Sequence, residues 1–111
     1  MLLSSGRRRF DPISEQDSIH NYYEKLVIEQ AVLTDDRAAQ DSDFLSDVAC
    51  LALNKLPPRY VRHDVDMTFY LTSEEFDGMQ KKVVSAVSEA IAYIDAKNAD
   101  EQSDEQQSNT A

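Results

Sequence analysis

Six residues suited to gripping an anion and stacking on a planar ligand fall close together: Arg59, Tyr60, Arg62, His63, Asp64 and Asp66. They follow directly on Pro57-Pro58, which fixes the direction of the chain and lowers the cost of ordering a site. A guanidinium takes phosphate oxygens with parallel, charge-assisted hydrogen bonds and also stacks on aromatic faces. Tyr60 supplies such a face, and an aspartate accepts from an N–H. A second basic group, Arg7-Arg8-Arg9, opens the chain, either as a solvated arm or as a clamp that orders on binding.

Catalytic chemistry finds no comparable support. Asp17 with His20, or His63 with Asp64 and Asp66, can be written as metal ligands or acid–base pairs. Neighbours in an extended segment point to opposite faces, however, so His63 and Asp64 do not converge on one ion. There is no HExxH, no glycine-rich phosphate loop and no nucleophile elbow, and the chain has two glycines in all. The single cysteine, Cys50, excludes an internal disulfide and a multi-thiolate zinc site. Set in Val48-Ala49-Cys50-Leu51-Ala52, it reads as a buried core thiol. The expectation is a binding protein rather than an enzyme, with no cofactor and no metal.

Charge narrows the ligand. The chain has 111 residues, 41% hydrophobic and 29% charged, and a formal net charge of −10. An acidic chain is poorly suited to non-specific DNA binding, which draws its affinity from a basic surface. Lys55, Arg59, Arg62 and His63 nevertheless form a central basic cluster, so a small anion suits the distribution better than a polyanion. Arginines rather than an apolar run follow Met1-Leu2-Leu3-Ser4-Ser5-Gly6, and no stretch approaches the ~20 apolar residues of a membrane span. A cytoplasmic location is expected.

The elements that must position these residues are mostly helical. Ile19, Tyr22, Tyr23, Leu26, Val27 and Leu33 recur at helical spacing and predict a helix over 18–33, capped by Asp17 or Ser18. Phe44, Leu45, Val48, Ala49, Leu51, Ala52 and Leu56 predict a second, more buried helix that Pro57-Pro58 stops. Val61, His63, Val65, Met67, Phe69 and Leu71 then alternate with polar residues, the period of a strand over 61–71. Thr72-Ser73-Glu74-Glu75 is a capping box. It opens a third helix to about Ala96, with Phe76, Met79, Val83, Val87, Ala90, Ile91 and Ile94 inward. The expected organisation is a flexible basic arm (1–13), a helical domain (14–97) and a disordered acidic tail (98–111). A lone strand cannot satisfy its own backbone groups, so pairing with its copy across a homodimer is expected.

The stretch Ala52-Leu53-Asn54-Lys55-Leu56-Pro57-Pro58-Arg59-Tyr60, preceded by Asp47-Val48-Ala49, resembles the central motif of the late competence ComFB family. Asn21-Tyr22-Tyr23-Glu24-Lys25-Leu26-Val27 and the downstream helix are similar to that family too, so the resemblance covers about residues 18–96. It implies a small helical domain that dimerises, with links to competence operons and to cyclic-dinucleotide sensing, chiefly cyclic di-GMP. Cyclic di-AMP is the other nucleotide to consider. Some relatives bind zinc through clustered cysteines; with Cys50 alone, that feature does not carry over. On this expectation Arg59 and Arg62 take phosphate or a guanine edge, Tyr60 stacks, and Asp64 or Asp66 accepts from guanine. The signal then passes to an unidentified downstream protein. Two alternatives stay open: a ligand-independent adaptor of competence or pilus DNA-uptake machinery, and a transcription-linked protein that binds DNA through its arginine arm.

Overall fold

The structure, a computed structural model, describes residues 18–110, with side chains to residue 102. Among these residues it holds five helices and one two-stranded antiparallel sheet. In chain order they are β1 (His20–Asn21), α1 (Tyr23–Thr34), α2 (Arg37–Gln40), α3 (Ser42–Asn54), β2 (Tyr60–Val61), α4 (Val65–Tyr70) and α5 (Ser73–Thr110). The mostly helical fold and its three main helices, α1, α3 and α5, are those expected.

The core lies where those three helices meet. Val27, Val48, Val83 and Val87 are its largest fully enclosed side chains, and Ala31, Ala52 and Ala90 are enclosed beside them. Such small residues allow helix backbones to approach closely, and Leu26, Phe44, Met79 and Ile91 fill the flanks. The start of α3 is fixed by Asp41, whose carboxylate accepts from the Asp43 and Phe44 amides at 3.0 and 3.2 Å. Its end tightens through Lys55 N–H to Ala52 and Leu56 N–H to Leu53, after which Pro57 has no donor to continue the ladder. The capping box before α5 forms as read: the Thr72 amide donates to Glu75, and the Glu75 amide donates to the Thr72 hydroxyl.

Several expectations are corrected. The first helix begins at Tyr23 rather than 18, because His20–Asn21 is drawn into a sheet with Tyr60–Val61. Leu33, counted in the apolar spacing of the first helix, is 80% exposed, whereas Ala31 two residues before it is fully buried. Cys50 is exposed, at the rim of a shallow groove that α3 forms with Tyr93 and Lys97 of α5. The strand over 61–71 is limited to Tyr60–Val61, and Val65–Tyr70 is helix. A helix satisfies its own backbone groups, which an 11-residue unpaired strand cannot do. The turn at Asp64 starts it, with Asp66 and Met67 amides donating to His63 and Asp64 carbonyls. Of the alternating apolar set only Met67 is buried, and Phe69 and Tyr70 are 77% and 76% exposed. The short strand finds its partner within the same chain, so unpaired strand groups no longer argue for pairing between copies. Helix α5 runs to Thr110, past the packed part of the domain, and among its residues from Asp95 to Gln102 none is buried.

Candidate functional site

The Pro57-Pro58 corner delivers the chain to Arg59 with its backbone held on both sides. The Arg59 amide donates to the Asn21 side-chain oxygen at 3.0 Å, and its carbonyl accepts from the Tyr22 amide at 2.7 Å. Asn21 is itself buried, and the same oxygen accepts from the Tyr23 amide at 3.2 Å. One amide side chain thus joins the start of α1 to the proline corner, while the Arg59 side chain stays exposed.

That side chain borders a groove of about 390 Å³ between the corner and the first turns of α5. Tyr23, Pro57 and Pro58 form one wall, and Glu75, Gly78 and Lys82 the other. The volume is within the range of small-molecule sites, about 300–1,000 Å³. The Thr72 backbone and hydroxyl hold the Glu75 carboxyl below the usual glutamate range, and the Arg59 charge adds to the effect. Burial raises the Tyr23 phenol, and the Arg59 charge opposes the shift. Arg59 therefore acts on both walls. Gly78 lines the groove, and a Cβ built there meets nothing within 4 Å. Two cations, one carboxylate and an aromatic wall can take a phosphate and accept from a base N–H.

The other sequence candidates are divided. Tyr60 is 66% exposed beside the corner and free to stack. Arg62 and His63 are exposed on the turn between β2 and α4. Asp64 pairs with the His20 Nε2, and His20 Nδ1–H donates to the Ser18 carbonyl at 2.9 Å. The Ser18 carbonyl first, and then Asp64, raise the His20 pKa above 6.5. Asp64 thus pins α4 to β1. Asp66 is half-buried within α4. Arg7, Arg8, Arg9 and Asp17 lie outside the described residues. Sequence reasoning missed Asn21, Glu75 and Lys82, because their roles depend on contacts between segments far apart in the chain. The capping box already marked Glu75, but as a helix start only.

A family model described as late competence development protein ComFB matches residues 20–98. The chain belongs to the ComFB family. The matched span starts at His20, in β1, and takes in the proline corner, the Arg59 groove and the packed part of α5. Membership suggests a competence-related role. No curated protein and no solved structure matches this ComFB chain. Among the described residues no group of three or more histidines, cysteines and carboxylates is placed to hold a metal ion. None of their helices is long and apolar enough to cross a membrane.

Proposed function

We propose that this ComFB protein is a cytoplasmic receptor for a cyclic dinucleotide, foremost cyclic di-GMP, that works by binding rather than catalysis. The observation that carries the reading is the Arg59 groove: a backbone clamped by Asn21 and Tyr22 presents a guanidinium opposite Glu75, with Tyr60 exposed alongside. A cyclic dinucleotide brings phosphates for Arg59 and a guanine edge for Glu75 or Arg62. Two copies of the chain would match the two-fold symmetry of the ligand, and the homodimer is part of the proposal. The bound state is passed to a downstream protein.

Calorimetry with cyclic di-GMP on the wild type, Arg59→Ala and Arg62→Ala tests this. Charge-assisted hydrogen bonds to phosphate are worth about 1.5–3 kcal/mol, so Arg59→Ala weakens binding about tenfold or more. Arg62→Ala, further from the groove, has the smaller effect. A wild type that binds no cyclic dinucleotide ends this reading. The adaptor reading is then favoured by the apolar side chains that α4 exposes, Val65, Phe69 and Tyr70, which suit a protein contact.

A further inference from the structure

Across Pro57 from the Arg59 groove lies a larger concavity of about 550 Å³. Lys55 and Pro57 form one side, and Lys81, Lys82, Ser85 and Glu89 of α5 the other. The two grooves share Pro57 and Lys82, so they adjoin. From residue 18 onward the chain has eight lysines and arginines, and Lys55, Arg59, Lys81 and Lys82 line these two grooves. A chain with a net charge of −10 concentrates half of those cations around one corner.

The Glu89 carboxylate occupies this cluster in a particular way. One oxygen lies 3.7 Å from the Lys55 Nζ, and the other accepts from the Ser85 hydroxyl at 3.0 Å. An ammonium and a hydroxyl converging on one set of oxygens is what a phosphate group also requires. Positions 81, 85 and 89 follow one another at four-residue spacing on α5, so Lys81 rises from the same helix face one turn before Ser85. An exposed lysine–carboxylate pair is weak and easily exchanged.

We propose that this groove is an anion seat, occupied in the unliganded protein by the chain's own Glu89 carboxylate and taken over by a ligand's phosphate oxygens at Lys55 and Ser85. The inference rests on the nucleotide reading above only for the identity of that ligand. A molecule with two phosphates then places one at Arg59 and the other in the seat.

The direct test is a titration of the full chain with inorganic pyrophosphate at low salt, followed by amide NMR shifts. The amides of Lys55, Lys82 and Ser85 are expected to move. Glu89→Gln removes the internal competitor and should tighten pyrophosphate binding about threefold. The control Asp100→Asn removes a distant negative charge and should leave it unchanged. Lys55→Ala with Lys81→Ala should weaken it about tenfold or more. Unmoved amides, or a Glu89→Gln variant that binds no tighter than Asp100→Asn, overturn the seat. Cyclic di-GMP titrated into the same proteins separates the two claims. If it binds the wild type and ignores the lysine changes, the seat fails and the nucleotide reading stands. If pyrophosphate fills the seat and cyclic di-GMP does not bind, the nucleotide reading fails and the seat stands.

Discussion

Asn21 is the buried polar side chain of the described core, and its environment explains why an amide sits there. Its side-chain oxygen accepts from Tyr23 and Arg59 amides, which would otherwise be unmet donors beside an apolar core. Asn21→Ala leaves both donors without that acceptor and should destabilise the domain by about 1–3 kcal/mol. In a domain of this size each kcal/mol lowers the melting temperature by about 4–8 °C. Asn21→Asp retains an acceptor at the same reach and should recover much of the loss. Calorimetric melting of the two variants checks this, and equal melting of Asn21→Ala and wild type would show that water replaces the amide. On the proposed nucleotide reading, cyclic di-GMP affinity should fall with Asn21→Ala as well, because the clamp on the Arg59 backbone goes with it.

Two elements carry predictions of their own. Helix α4 is tied to β1 by His20 and Asp64, and the tie depends on protonation. Ser18 and Asp64 each present an acceptor to a different ring nitrogen, so both hydrogen bonds form only with the imidazolium. The folded pKa is raised above 6.5, so the contribution is fully present below that value and is lost as pH rises through the higher folded value. NMR titration should find His20 titrating above 6.5, with amide exchange in α4 quickening over the same interval beyond its intrinsic pH dependence. His20→Gln should remove that additional dependence. A His20 titration at or below the ordinary value would rule the tie out. Helix α5 carries Gly78 within its first two turns, where a Cβ meets open space. The fold gives no steric reason for glycine, so Gly78→Ala should stabilise by about 0.5–1 kcal/mol through helix propensity. The same methyl projects at the wall of the Arg59 groove. The expected outcome is a higher melting temperature and, on the proposed reading, weaker nucleotide binding. A lower melting temperature would show that the helix needs glycine there.

At the scale of the whole molecule the question is assembly. With β2 paired to β1, the exposed apolar surface of α4 is the better candidate for contact between copies than a strand edge. Phe69→Glu should convert a dimer to a monomer in light scattering at micromolar concentration, with melting little changed, because Phe69 contributes almost nothing to the core. A wild type that scatters as a monomer would remove the homodimer from the proposal.

The amino-acid pattern by itself determined the three long helices, the stop at Pro57 and the capping box at Thr72. Each is a local property: apolar residues at helical spacing, a missing amide donor, two side chains within reach of nearby amides. The resemblance to the ComFB family was legible for the same reason, in a contiguous run ending at Arg59 and Tyr60, and the family match covers that run. Tertiary structure decided the rest. The alternation from Val61 to Leu71 favours a strand locally, but a strand needs a partner along its length, and β1 offers only His20 and Asn21. The remainder closed its hydrogen bonds as helix instead, leaving Phe69 and Tyr70 outside. Glu75 and Lys82 join the candidate site through the packing of α5 against the proline corner, which brings together residues more than a dozen positions apart. No local spacing encodes that meeting, because it follows from Val48, Val83 and Val87 filling one core.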